Sequence, residues 1–141
     1  MILFDTDHLT LLAMKGGSAR RDRLLARMAL EPIGAVFSAP VVAVEEQMRG
    51  WLASIAKERH SRRQVPAYRN LASLFQFFAG LDIAPFDEAA ADRFEEFNRI
   101  RISTSDRKIA AIALVNGALL LTANRRDFEK IPALRFENWL D

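Results

Sequence analysis

The chain begins with a short apolar segment that is typical of a buried strand, and an acidic residue that is unfavourable in such a strand follows it. Ile2, Leu3 and Phe4 form an apolar run that is too short for a helix, and Asp5 follows it directly. If this strand is central in a parallel sheet, Asp5 leaves the sheet at its carboxyl end, where open α/β sheets place their ligand crevice. A carboxylate there is costly to desolvate unless a cation meets it, so further acids are expected to share that cation.

Segments of strand type and helix type alternate along the rest of the chain. Strands are expected at 2–4, 35–38, 81–86, 118–121 and 134–136. Helices are expected at 8–14, 18–30, 41–57 and 66–79, then from 87, from 106 and at 125–130. This alternation predicts an α/β fold with three layers, α/β/α, around a central parallel sheet, and a single domain over residues 1–141.

The composition excludes several classes of protein. The 141 residues are 50% apolar and include no cysteine, so a disulfide framework and a thiolate zinc site are both excluded. The net charge of +2 says little by itself about a partner. The longest apolar stretch, 109–121, is interrupted by Asn116 and Gly117 and is too short to cross a bilayer. Because the N-terminus shows no signal-peptide pattern either, we expect a cytoplasmic protein with no membrane contact.

The helix expected at 41–57 has two different faces. Small residues flank Glu46 on one face, which allows another backbone to approach closely and favours Glu46 as an inward-facing carboxylate. The alternative is that Glu46 is one more solvated helix charge. The other face is a stripe of bulky apolar residues: Val41, Val44, Met48, Leu52 and Ile55.

Further polar residues stand at the expected ends of elements nearer the C-terminus. Asp106 heads a helix face of small and apolar residues, although it could instead be only the N-cap of that helix. Asn124 and Asp127 follow the strand at 118–121, as Asp5 follows the first strand. Asp7 is interpreted as a cap of the first helix, and His8 as a surface or capping residue.

A set of oxygen ligands without His or Cys suits Mg²⁺ or Mn²⁺. Such ions catalyse phosphodiester hydrolysis by activating water and neutralising the developing charge. Basic residues on the adjoining segments would suit a polyanionic substrate, although a solvated basic surface explains them equally well. These residues are Arg99, Arg101, Arg107, Lys108, Arg125 and Arg126.

Four segments with these residues follow one another along the chain: Ile2-Leu3-Phe4-Asp5-Thr6-Asp7, Glu46-Gln47-Met48-Arg49-Gly50, Ser105-Asp106-Arg107-Lys108-Ile109-Ala110-Ala111 and Leu121-Thr122-Ala123-Asn124-Arg125-Arg126-Asp127-Phe128, followed by Asn138-Trp139. In this order they resemble the PIN-domain ribonucleases, and specifically the VapC-type toxins of bacterial toxin–antitoxin pairs. Together they span nearly the whole chain.

The resemblance implies a parallel sheet flanked by helices and a Mg²⁺-dependent endoribonuclease, with Mn²⁺ as a possible substitute. It implies that Asp5, Glu46 and Asp106 are the metal-site acids and that RNA is the substrate. It also implies a homodimer and a cognate antitoxin. The chain departs from the commonest family pattern at Asp7, where Asn is usual, and at Asn124, where many members have a fourth Asp. Asn124 and Asp127 therefore both remain candidates for the fourth site residue.

Two other functions remain open at the level of sequence. Asp5-Thr6-Asp7 is similar to the first motif of haloacid-dehalogenase-type phosphatases, in which Asp5 would be a nucleophile, although Leu9 replaces the Thr or Val expected there. A non-catalytic module that binds RNA or protein is the second alternative, with the acids acting only as helix caps.

Overall fold

The computed structural model describes residues 1–141 and contains one five-stranded sheet in which every strand pair is parallel. The strands are β1 (Ile2–Phe4), β2 (Phe37–Pro40), β3 (Asp82–Ala84), β4 (Leu119–Leu121) and β5 (Phe136–Glu137). Their order in the sheet is β3-β2-β1-β4-β5, so β1 is central as expected. From β1 the chain adds β2 and β3 on one side, and it then adds β4 and β5 on the other side, so the strand order reverses between β1 and β4. In a sheet of this kind the ligand crevice lies at the carboxyl ends of the two strands at that point.

Seven helices cover the sheet. They are α1 (Thr6–Ala13), α2 (Ala19–Ala29), α3 (Val41–Lys57), α4 (Ser61–Ala79), α5 (Glu88–Glu95), α6 (Thr104–Val115) and α7 (Arg125–Phe128). None of them is both long and apolar enough to cross a membrane.

Alternate residues of the central strand pack on opposite faces of the sheet, as the period of a strand requires. Leu3 packs with the buried residues of α5, α6 and α7, whereas Ile2 and Phe4 pack with those of α1, α2 and α4. Helix α3 contributes Val42 to the first cluster and Ala43 to the second. The predicted three-layer α/β/α fold is therefore confirmed.

Several predicted boundaries differ from the structure. Strand β2 ends at Pro40, two residues later than expected, and α4 begins at Ser61 rather than at Pro66. Pro66 lies inside α4 and removes one backbone donor, but the turn before it forms because the N–H groups of Arg63 and Gln64 both donate to the carbonyl of His60. The side chain of Gln64 also donates to the carbonyls of Ile55 and Glu58, which ties the first turn of α4 to the end of α3.

The bulky stripe of α3 is only half-buried. Val41 and Leu52 are exposed, whereas Val42 and Ala43 are the buried residues of this helix. The expected close approach through small residues is seen only at Ala43, because Gly50 and Ala53 are exposed. Near its N-terminus α3 turns Val42, Ala43 and the half-buried Glu46 toward the protein, whereas further along it is Met48 and Trp51 that are half-buried against the core.

We expect Gly50→Ala to stabilise the protein by about 0.5–1 kcal/mol, because Ala loses less backbone entropy than Gly in a helix. Gly50 lies within α3, and a Cβ built on it has no neighbour within 4 Å. Gly117→Ala is the contrasting control, because Gly117 has a φ of 58° and a Cβ there is strained. Urea denaturation should give a higher midpoint for Gly50→Ala and a lower one for Gly117→Ala. A lower midpoint for Gly50→Ala would contradict the expectation.

Candidate active site

Asp5 lies at the carboxyl end of β1 and links it to β4. Its side chain is 7% exposed, and it caps α1 by accepting the backbone N–H of Thr6 at 2.7 Å. Its other oxygen accepts the hydroxyl of Thr122 at 2.7 Å, just beyond β4. Helix α1 begins at Thr6 rather than at residue 8 because Asp5 supplies this cap. Asp5 therefore lies directly after the carboxyl end of the central strand, as the sequence predicts.

Glu46 reaches the same crevice from α3. Its carboxylate accepts the hydroxyl of Thr6 at 3.0 Å, so Thr6 joins the Asp5 turn to α3. The half-buried Glu46 is therefore not a purely solvated helix charge.

Asp106 lies in the first turn of α6, one turn below the residue that caps the helix. Ser103 is the N-cap, and its hydroxyl accepts the backbone N–H of Asp106 at 3.1 Å. The alternative that Asp106 is only an N-cap is therefore wrong. Its carboxylate faces the β4–α7 turn, where the side-chain amide of Asn124 lies 3.5 Å away.

Asn124 and Asp127 meet at this same turn. The Asn124 amide also donates to the Asp127 carboxylate at 3.0 Å, and its oxygen accepts the Asp127 N–H at 3.4 Å as the cap of α7. Asn124 thus lies between the Asp106 and Asp127 carboxylates. The geometry brings both candidates for the fourth site residue together and does not separate them.

The acids are crowded, and among Asp5, Glu46, Asp106 and Asp127 only Asp127 has a basic partner: the Nζ of Lys130 lies 3.8 Å from its carboxylate. Burial raises the pKa of Asp5 to about 6, and the negative charges of Asp7 and Asp106 raise it as well. Hydrogen bonds from Thr122 and Thr6 lower this pKa and offset part of the rise. Burial also raises the pKa of Asp106, reinforced by the charges of Asp127 and Glu46. No ion pair is formed by Asp5, Glu46 or Asp106.

This donor set fits a hard divalent cation. It consists of carboxylate, hydroxyl and amide oxygens, and the uncompensated charge is of the sign that a cation relieves. No three of the acids converge closely enough to form a complete ligand cluster by themselves. Mg²⁺ characteristically binds through one or two carboxylates and retains several waters, so an incomplete protein cage suits this ion.

The basic residues near the site differ in where their side chains lie. Arg107 donates to the carbonyl of Phe97 and packs over the ring of Phe94, which also contacts Lys108. These two residues are therefore held against α5 and its C-terminal extension, and the expectation that all six basic residues rim the crevice is only partly met. Arg125 and Arg126, in contrast, are exposed on α7 beside Asn124.

Asp7 and His8 were assigned wrongly from the sequence. Asp7 lies inside α1, whose N-cap is Asp5; its carboxylate accepts the N–H of His8 and, across the chain, the backbone N–H of Ala123 at 2.8 Å. His8 is completely buried rather than at the surface, and its ring contacts Asp7 and Trp139. Trp139 is 131 positions further along the chain, so no local pattern could have revealed that His8 is buried.

Comparisons with known proteins agree with this fold. The family model described as the PIN domain matches residues 2–134. The tRNA(fMet)-specific endonuclease VapC of Shigella flexneri is 34% identical over 84 residues, which are 55% of this chain and 63% of the relative. The match thus spans less than two thirds of that relative.

Solved structures are similar over almost the entire chain. VapBC-1 from nontypeable Haemophilus influenzae has a TM-score of 0.75 at 18% identity and covers 100% of both chains. A toxin–antitoxin complex from Klebsiella pneumoniae has a TM-score of 0.58 at 21% identity and covers 95% of both chains. At these identities the structures establish a shared fold.

Proposed function

This chain belongs to the PIN-domain family, and from that membership we propose that it is a metal-dependent endoribonuclease that acts as the toxin of a toxin–antitoxin pair. The observation that carries the proposal is the group of acids at the ends of β1 and β4, in which Asp5, Glu46 and Asp106 have no basic partner. PIN nucleases generally depend on a divalent metal, and this donor set suits one. Mg²⁺ is the proposed ion, with Mn²⁺ as a substitute.

We assign the roles from the position of each side chain. Asp5 and Asp106 would hold the ion directly, and Glu46 would bind it or orient the attacking water. Asn124 and Asp127 would complete the site from the β4–α7 turn. Thr6 and Thr122 orient two of the carboxylates through their hydroxyls, and such supporting contacts commonly affect activity nearly as much as the ligands do.

The proposed reaction is hydrolysis of an RNA phosphodiester by in-line attack of water: a P–O bond to the water oxygen forms as the P–O ester bond opposite it breaks, and the leaving oxygen takes a proton and departs as the hydroxyl of one RNA fragment. A bound divalent ion would activate the water and neutralise charge on the scissile phosphate. Asp5 must be ionised to serve as a ligand, and with a pKa of about 6 it is mostly ionised at neutral pH. The exposed Arg125 and Arg126 can contact flanking phosphates without neutralising the acids.

The remaining parts of the proposal concern substrate and partners. Because a relative is named a tRNA(fMet)-specific endonuclease, we propose a structured RNA such as a tRNA as the substrate. Because a structural neighbour is a toxin–antitoxin complex, we propose a cognate antitoxin as the partner. A homodimer and one nuclease domain over residues 1–141 complete the proposal. A phosphatase with Asp5 as nucleophile is disfavoured, since both Asp5 oxygens are already hydrogen-bonded and no lysine pairs with it.

The test is to incubate purified protein with a pool of tRNA in Mg²⁺, in Mn²⁺ and in EDTA. We expect cleavage only with a divalent ion, and loss of cleavage in Asp106→Asn. Asp92→Asn is the matched control, because Asp92 is an exposed acid in the middle of α5. Equal cleavage in EDTA and Mg²⁺, or wild-type cleavage by Asp106→Asn, would contradict the proposal. An absence of cleavage combined with an absence of Mn²⁺ binding would favour the non-catalytic binding module.

A further inference from the structure

His8 is a buried histidine outside the proposed ligand set. It is 0% exposed, and both ring nitrogens have partners: Nδ1 lies 2.6 Å from the Asp7 carboxylate, and Nε2 lies 3.3 Å from the backbone nitrogen of Trp139. An apolar side chain could fill the same space without needing any hydrogen bond. A buried imidazole with two satisfied nitrogens instead fixes the direction of its contacts.

The partners determine which nitrogen of His8 carries the proton. Trp139 offers a backbone N–H, which can only donate, so Nε2 is the acceptor and carries no proton. Nδ1 then carries the proton of the neutral ring and donates it to Asp7. His8 therefore joins the C-terminal segment on one side to Asp7 on the other.

Asp7 in turn spans two turns of the chain. One of its oxygens accepts from the His8 ring and from the His8 backbone N–H, and the other accepts the Ala123 N–H at 2.8 Å. Burial opposes ionisation of Asp7, but these hydrogen bonds hold its pKa below the ordinary value. The ionised Asp7 thus connects α1 to the β4–α7 turn through these hydrogen bonds.

The β4–α7 turn, which Asp7 holds in place, carries a proposed site residue. Ala123 immediately precedes Asn124, whose amide lies between Asp106 and Asp127. Asp7 is also close enough to Asp5 and Asp106 to raise the pKa of both. If the Asp7 carboxylate were free to rotate, it could compete with those acids for the ion. Its two anchored oxygens prevent that rotation.

We propose that His8 is a positioning residue of the nuclease: it orients Asp7 so that Asp7 fixes the Ala123–Asn124 turn against the acids without itself joining them. The nuclease part of this statement rests on the proposed function. The contact chain from Trp139 through His8 and Asp7 to Ala123 also explains how this sequence accommodates an acid, rather than an amide, at position 7.

The test compares two polar variants, each of which can replace only one of the two ring nitrogens of His8. His8→Asn can place an amide donor where Nδ1 lies and so preserve the bond to Asp7. His8→Gln can place a polar atom where Nε2 lies and loses that donor. We expect His8→Gln to reduce kcat and Mn²⁺ affinity by about 10- to 100-fold, as is usual for supporting contacts of metal sites, and His8→Asn to recover most of that loss. KM for RNA should change little in either variant.

The control is a variant that lowers the stability of the protein without changing the contacts from Trp139 through His8 and Asp7 to Ala123. Phe97→Leu alters the buried cluster on the opposite face of the sheet and should lower the melting temperature while leaving kcat and Mn²⁺ affinity unchanged. If His8→Gln behaved like Phe97→Leu, with a lower melting temperature and unchanged Mn²⁺ affinity, His8 would be only a core residue and the proposal would be overturned. Equal losses in the Asn and Gln variants would overturn it as well.

Two readouts separate this proposal from the proposed function. Amide hydrogen exchange at Ala123 needs neither metal nor RNA, and we expect faster exchange in His8→Gln than in His8→Asn. The effects of His8→Gln and Asp7→Ala on that exchange should not add, because both changes break the same link. Unchanged or fully additive exchange rates would contradict the positioning role whether or not the protein cleaves RNA. Conversely, failure of the wild type to cleave RNA would count against the proposed function alone.

Discussion

The Asp5→Asn variant is expected to lose RNA cleavage by about 10³-fold or more and, in EDTA, to melt at a higher temperature than the wild type. The loss follows because an amide cannot supply the negative charge that holds a divalent ion. The gain in stability follows because the wild-type carboxylate is 7% exposed and has no basic partner. Asn can still cap α1 at this position, so the helix start is preserved.

The size of the stability gain can be estimated from the pKa of Asp5. Its rise from 3.8 to about 6 corresponds to a penalty of about 3 kcal/mol at neutral pH, at 1.36 kcal/mol per pKa unit. The lost bond from Thr122 offsets part of this gain. The melting temperature in EDTA should therefore rise by several degrees.

Circular dichroism in EDTA and a tRNA cleavage assay in Mg²⁺ measure the two effects on the same preparation. Asp92→Asn, which changes an exposed acid, should alter neither property appreciably. A variant that was both inactive and less stable would mean that Asp5 is a structural residue. An active variant would remove Asp5 from the proposed metal site.

The stability advantage of Asp5→Asn over the wild type should disappear as the pH falls. Because the folded-state pKa of Asp5 lies above its unfolded value, the wild type binds an extra proton on folding between about pH 4 and pH 6. The stabilisation that this proton gives the wild type relative to Asp5→Asn is therefore fully present below about pH 4 and is lost as the pH rises through about 6. Burial raises the pKa of Asp106 in the same direction, so Asp106→Asn should show a smaller version of the same dependence.

Urea denaturation of the wild type and both variants in EDTA, from pH 4.5 to pH 7.5, measures this difference. Comparing variants removes the contributions of the distant carboxylates, which titrate equally in each protein, whereas Asp7 and Asp106 interact with Asp5 and are part of the measured difference. An advantage that stayed constant with pH would mean that Asp5 is not destabilised by its surroundings.

The sequence was most informative where a residue contradicts its local surroundings. Asp5 interrupts a buried strand, Glu46 stands on a face of small residues, and Asp106 heads an apolar helix face, so each was a candidate site residue on the sequence alone. Such contradictions are expected at functional sites, because local rules are broken there for another purpose. All three positions proved to lie at the same end of the sheet.

The features that the sequence did not reveal depend on contacts between distant segments. The buried state of His8 is created by Trp139, and the role of Asp7 depends on Ala123, which is 116 positions away. The half-exposed bulky face of α3 was missed for a related reason: hydrophobic periodicity identifies the two faces of a helix, but contacts with other segments decide how deeply each residue of a face is buried.

The separation of the two halves of the site has a consequence for how the protein is made. Asp5 is paired with Thr122 across 117 positions, and the partner strand β4 is followed at once by Asn124 and Asp127. Chains emerge from the ribosome N-terminus first, and contacts between distant positions form late. A nascent chain that ends before residue 106 contains Asp5 and Glu46 but neither β4 nor the remaining acids. If the acids are the catalytic site, translation itself delays nuclease activity until β4 and the turn that carries Asn124 and Asp127 have been synthesised.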